Sequence, residues 1–285
     1  MSEIRPFRWS VRREFWENRT LYLGPIIVAV FGFFAFMLST VGMPARRRAT
    51  MLLEPAKARA AIEAPYDALA MVLIATSFIV AVFYCLDALY SERRDRSILF
   101  WKSLPVSDVT TVLAKASIPA LVLPALTLVL ATITQFIMLL WSTLVLLPSG
   151  QAATTWSRFH FLDQLVFMLY LQIVLALWHA PIYGWLLLLS AWARRAIFLW
   201  AFLPIFVLSF FEQMAFRTKF IALFLRDRLI GVESAFALGP KGQLQSISQL
   251  RPGAFLASPG LWLGLIFAAA CLLAAVRLRR NREPI

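Results

Sequence analysis

The densest grouping of polar side chains is the stretch Tyr90-Ser-Glu-Arg-Arg-Asp-Arg-Ser-Ile-Leu-Phe-Trp-Lys-Ser-Leu-Pro-Val-Ser-Asp108. Ser91 to Arg96 holds three arginines, a glutamate and an aspartate, and Ile98-Leu-Phe-Trp101 follows at once. At this spacing the residues supply recognition: charges to steer a partner and aromatic side chains to anchor it. Leu104-Pro105 breaks the run, because proline lacks a backbone donor and restricts its predecessor. Ser107 and Asp108 then offer N-caps to the next helix. The segment reads as a short helix over 91–104 with a charged face and an aromatic face. Its docking residues are Glu92, Arg93, Arg94, Arg96, Phe100, Trp101, Lys102, Leu104 and Pro105. The alternative reading is a basic cytoplasmic loop that only fixes topology.

No catalytic constellation accompanies it. The sequence holds no G-x-x-x-x-G-K-[ST] phosphate loop, no H-E-x-x-H, no G-x-S-x-G and no Cys/His cluster at metal-ligand spacing. The chain is therefore expected to be no enzyme, with no cofactor or metal of its own. His179, beside Trp178 and Pro181, either bonds a neighbouring helix or lines a polar path. Gln135, Gln172 and Glu212 pose the same choice. Glu212 poses it most sharply, since an ionisable group at membrane depth is costly without water or a partner. Cys85 and Cys271 lie inside apolar runs and read as small buried hydrophobes.

Membrane helices must position these residues. The 285 residues are 61% hydrophobic and 15% charged, with a mean hydropathy of +0.75, outside the range of a soluble domain. Several apolar runs reach the roughly 20 residues needed to cross about 30 Å of hydrocarbon. A net charge of +13 would point to nucleic acid in a soluble chain. Here the basic residues cluster at the ends of apolar runs, so membrane topology and anionic lipid explain them and no nucleic acid is expected. The predicted fold is an all-α integral membrane protein with six transmembrane helices in one domain.

Residues 1–20 are expected to form an amphipathic interfacial helix. Ile4, Phe7, Val11 and Phe15 recur at helical spacing, and Arg5, Arg8, Arg12 and Arg19 lie off that stripe. Spans are expected at 21–41, 66–90, 109–147, 163–192, 197–215 and 259–276. The first is read as uncleaved, because its apolar run exceeds that of a signal peptide. Residues 42–66, with Arg46-Arg-Arg48, read as a polar loop or short surface helix, and 148–162 as an outer loop. The third helix would be about 58 Å long, twice the hydrocarbon thickness, so its first turns with Lys115 stand outside the hydrocarbon. Pro119 and Pro124 are expected to kink it, and Pro181 and Gly184 to bend the fourth. In 216–258, Phe216, Phe220, Leu223 and Phe224 form an apolar stripe with Arg217, Arg226 and Arg228 off it, an amphipathic helix near the outer leaflet. Sixteen of the 28 Lys and Arg residues lie on the side of the chain ends and the charged segment, twelve on the other over a greater length. That places both ends in the cytoplasm.

The run Leu89 to Asp108, followed by Val112-Leu-Ala-Lys115, resembles the cytoplasmic segment between spans two and three of type-2 ABC exporter permeases. Members of that family show an acidic-Arg pair, a small helix, a Leu-Pro-Val-Ser-type break and a Lys on entry to the third span. The layout is also similar: an interfacial helix, six spans and an extended outer segment between spans five and six. Residues 216–258 depart from it by being longer than the family's short re-entrant hairpins, so they either dip into the membrane or cap the exit. The resemblance implies the permease subunit of an ATP-driven exporter in a bacterial inner membrane. Two copies of a separate ABC ATPase would carry the ATP and Mg, 91–104 would be the coupling helix, and a second permease copy, as a homodimer, would meet this one at spans one and five.

Within span one, Gly24, Ala29, Gly32 and Ala35 would let helices approach closely. In span five, Phe202, Phe206, Phe210 and Phe211 form a ladder that, with Glu212, lines an apolar translocation path or simply packs on neighbours. Few intramembrane charges point to an amphipathic or apolar substrate such as a drug, peptide or lipid-like molecule. A stand-alone secondary transporter would need more intramembrane acids, and a membrane scaffold or intramembrane enzyme is disfavoured by the missing catalytic groups.

Overall fold

The computed structural model describes residues 4–95, 106–236 and 249–281. Six of its helices are long and apolar enough to cross a bilayer, the architecture of an all-α multi-pass membrane protein. Among the described residues the one β contact is an isolated bridge between Phe236 and Leu250. Large apolar side chains cover the outside of these helices; Phe31 and Phe206 are each 70% exposed. Patches of that size suit lipid and not water.

Helix α1 (Ile4–Glu17) turns Val11 and Phe15 onto the core. Helix α2 (Thr20–Ser39) is the first membrane helix. Its small residues serve the chain's own packing: a Cβ on Gly32 would meet Leu69 Cδ1 at 2.2 Å, one on Gly24 would meet Val80 at 3.4 Å, and Ala29 is buried. Three of the four small residues expected at a seam between copies thus pack within the chain, Gly24 and Gly32 against the second membrane helix, while Ala35 is exposed. What α2 leaves outward is a large apolar face including Val30, Phe31 and Phe34.

Residues 42–66 hold more helix than the charge pattern suggests. Helix α3 (Met43–Met51) is followed by α4 (Pro55–Asp87), which begins eleven residues before the expected start of the second span. Proline suits a first turn, and the charges of this stretch, read as a polar loop or a short surface helix, are spaced for a helix. Lys57 pairs with Glu54 at 2.9 Å and Arg59 with Glu63 at 2.8 Å. A five-residue helix, α5 (Tyr90–Arg94), follows.

The third membrane helix is α6 (Asp108–Ser117) continued into α7 (Leu123–Leu146) through a π-helical turn, Ile118–Val122. Pro119 and Pro124 each lack the N–H of a regular turn, so the ladder shifts register there. The expected outer loop carries a helix, α8 (Ala152–Arg158). The fourth membrane helix is broken at His179 into α9 (Phe161–Trp178) and α10 (Ala180–Trp192), one residue ahead of the helix that Pro181 opens. Gly184 has a different use: its Cβ would lie 3.0 Å from Ala268 Cα, so its absence lets the fourth and sixth membrane helices touch at their backbones.

The fifth membrane helix is α11 (Ile197–Phe216) and the sixth α14 (Pro259–Asn281). Between them lie α12 (Phe220–Ile230) and α13 (Pro252–Leu256). This segment runs alongside the fourth membrane helix. Phe236 packs on Phe167 and Tyr170, Tyr170 Oη donates to Ala235 O at 3.2 Å, and Trp178 Nε1 donates to Asp227 O at 3.1 Å. His179 Nε2 lies 3.2 Å from Leu229 O, with its ring against Phe78 in the middle of the second membrane helix. From Phe167 to His179 the contacts cover twelve residues, about 18 Å of helix. Arg228, expected on the polar face of α12, instead points inward. It stacks 4.4 Å over Trp178 and donates to Gly260 O at 2.9 Å, with Gly264 leaving it room.

Candidate functional site

Four elements bring charge to one end of the bundle, and a fifth adds a tyrosine hydroxyl. Lys115 Nζ in α6 lies 2.8 Å from Glu14 Oε1 of α1 and 3.1 Å from Glu92 Oε1 of α5. Arg13 Nη2 donates to Glu14 at 2.8 Å and to Glu92 at 3.3 Å. Arg279, near the end of α14, donates through Nη1 to Glu92 Oε2 and through Nε to Asp108 Oδ1 at 3.0 Å. Tyr84 Oη, at the end of α4, donates to Glu14 Oε2 at 2.9 Å. The side chains of Glu14, Glu92, Lys115 and Arg279 are 2%, 7%, 4% and 4% exposed, so this network is nearly dry. Among the described residues its buried centre holds two carboxylates, Glu14 and Glu92, and two cations, Lys115 and Arg279, with Arg13, Asp108 and Glu17 partly exposed around them. That pairing matters, because a buried ion without its partner costs several times what the pair contributes.

The sequence sets these positions locally. Glu14 shares the inward face of α1 with Val11 and Phe15. Arg279 continues the buried stripe of α14 at Ala268, Cys271 and Ala275. Lys115 follows Thr111 and Val112 on the buried side of α6. Ser107 accepts from Thr110 N at 3.1 Å and caps α6, which leaves Asp108 to bond Arg279.

The entry to the charged segment is stapled to the fourth membrane helix. Ser190 Oγ accepts from Leu89 N at 2.9 Å and Tyr90 N at 3.0 Å. Arg93 Nη2 donates to Ser190 O at 2.9 Å and Ala193 O at 2.6 Å, the final carbonyls of α10 that its own ladder leaves open. Glu92 and Arg93, read from sequence as part of a docking face, are buried and hold the segment to the bundle. Arg94 is exposed and pairs with Asp95 at 3.0 Å. Arg96, Phe100, Trp101, Lys102, Leu104 and Pro105 lie outside the described residues. Glu14, Tyr84, Ser190 and Arg279 were not singled out from sequence, although the helical step placing Arg279 behind Ala275 was there to read; Asp108 was read as an N-cap and Lys115 as the lysine on entry to the third span.

The candidate path residues are not gathered around a site. Phe202, Phe206 and Phe210 are on the exposed face of α11, turned away from the bundle. Glu212 is a cap. It accepts from Thr218 Oγ1 at 2.8 Å, Phe220 N at 2.5 Å and Ile221 N at 2.9 Å, satisfying the first turn of α12.

Burial pushes the Glu14 carboxyl up, but Lys115 and Arg13 outweigh it and hold the group below its ordinary value of 4.5. Above that value Glu14 is ionised whether the chain is folded or not, so its contribution is complete. The contribution is lost as pH falls below 4.5 through the lower folded value. In detergent the melting temperature should drop on acidification in that range, and Glu14→Gln should remove part of the drop. An unchanged profile in the variant would show that Glu14 carries none of it.

Comparison with protein-family models, curated proteins and solved structures finds no match for this chain.

Proposed function

We propose that the chain is the membrane-spanning permease subunit of an ATP-driven ABC exporter, moving an amphipathic or apolar substrate out of the cytoplasm. One observation carries this reading. The charged segment between the second and third membrane helices has both flanks, Glu92 and Asp108, bonded to the same guanidinium, Arg279. A push on residues between those flanks would pass into α1, the third membrane helix and the sixth with little slack. Transmission of that kind needs a helix bundle with two packings and no catalytic residue on the permease. With the ion network on the cytoplasmic side, ATP and Mg would belong to a separate ATPase docked on the segment.

The fifth membrane helix supports a second copy of the chain. Its apolar window is 11% buried, against 22–44% for the other five candidate spans. In a homodimer the exposed ladder of Phe202, Phe206 and Phe210 would face the partner or an apolar central path. Chain purified from native membranes into nanodiscs should bring an ATPase subunit with it, two of each. A monomeric permease without an ATPase, in mild detergent and in nanodiscs, overturns the reading.

A further inference from the structure

A buried cation without an anion sits at the end of the bundle opposite the ion network. In the triplet Arg46-Arg47-Arg48 the outer two side chains are exposed, whereas Arg47 is 5% exposed. Its Nη2 reaches Thr155 Oγ1 only at 3.4 Å, and its Nη1 is buried with no hydrogen-bond partner. The acids nearest in sequence, Glu54 just before α4 and Glu63 within it, are engaged elsewhere, by Lys57 and Arg59 respectively. Among the described residues no carboxylate pairs with Arg47. Burial pulls this guanidinium below its ordinary value, with the Tyr66 hydroxyl acting weakly the other way. An uncompensated buried guanidinium is unfavourable, so a counter-ion from outside the chain is the natural complement.

Arg47 lines an open recess of about 410 Å³. Arg46, Arg47 and Thr50 supply a polar wall, and Phe36, Ile62 and Pro65 an apolar one. Phe36 lies three residues before Ser39, where the first membrane helix ends. That puts the recess at the depth of a bilayer headgroup. A planar guanidinium fork matches two phosphate oxygens, and an apolar wall beside it suits a glycerol and its first methylenes.

We propose that this recess binds a phosphate group, presented by a phospholipid headgroup, with Arg47 as its anchor. The site is independent of what the protein transports. Free phosphate shares the anionic chemistry but leaves Phe36, Ile62 and Pro65 unused.

The test uses full-length protein in detergent, stripped of lipid. Dioctanoyl phosphatidylglycerol should raise the melting temperature of the wild type, and the phosphate-free dioctanoylglycerol should not. Arg47→Gln should weaken the phosphatidylglycerol response about tenfold or more in concentration, while Arg94→Gln at the other end leaves it unchanged. Inorganic phosphate separates the sources: a weaker response than phosphatidylglycerol assigns the site to lipid, and an equal one assigns it to the free anion. If Arg47→Gln fails to fold, hydrogen exchange on the wild type decides, with phosphatidylglycerol expected to slow the amides of Met43–Met51. Dioctanoylglycerol acting as strongly as phosphatidylglycerol overturns the proposal. So does an equal response in Arg47→Gln, or the absence of slowed exchange in that helix.

Discussion

Glu92→Gln should destabilise the protein by about 3–5 kcal/mol, the range for removing one partner of a buried ion pair. The size follows from what is left behind. Glu92 accepts from Arg13 and Arg279 and neutralises Lys115, and the last two of these side chains are only 4% exposed. With glutamine in its place the buried cations Lys115 and Arg279 keep one buried carboxylate, Glu14, between them. The pair Arg94–Asp95 gives the contrast. Its side chains are 56% and 58% exposed, so Arg94→Gln should change stability by less than about 1 kcal/mol. Adding Arg279→Gln to Glu92→Gln removes the stranded guanidinium, and the Asp108 it abandons is 26% exposed and can hydrate. The double variant should therefore lose less than the two single losses together. Thermal melts of the wild type and the four variants in one detergent read this directly. A Glu92→Gln melt no lower than that of Arg94→Gln would show that the network does not hold this end together.

The bundle was legible in the sequence, and the site within it only in part. A membrane helix announces itself by about 20 apolar residues, which is why six were counted and six are found. Charge was the harder signal to read. Residues 42–66 left a polar loop and a short surface helix both open, and their Lys57, Arg59 and Glu63 lie on turns of α4, while Arg279, in the basic end of the last span, completes a buried face. The network itself was invisible because its members are far apart in the chain: Glu14 meets Lys115 across 101 residues, and Glu92 meets Arg279 across 187. No local period encodes such a meeting. Gly32 shows the converse limit. A small residue on a membrane helix says that something approaches closely, but not whether it comes from the same chain, and here it is Leu69.

On the exporter reading proposed above, replacing Phe100 and Trp101 together by alanine should separate the ATPase from the bundle without unfolding it. Both residues belong to the stretch between the two anchored flanks, and the anchors among the described residues are Glu92, Arg93 and Asp108. The folded state should therefore lose little, and melting should stay near the wild-type value. Buried aromatic anchors at protein interfaces are worth about 2 kcal/mol or more each, so ATPase affinity should fall about thirtyfold for one of them and about 700-fold for both where the losses add. Arg96→Ala, a change on the charged side of the same stretch, should act mainly on the association rate and its salt dependence. The Glu92 and aromatic variants thus predict opposite signatures: lost stability for the first, and intact stability with lost coupling for the second. An aromatic double variant that keeps its ATPase and its transport places docking elsewhere on the chain. One that melts as low as Glu92→Gln makes Phe100 and Trp101 part of the packing instead.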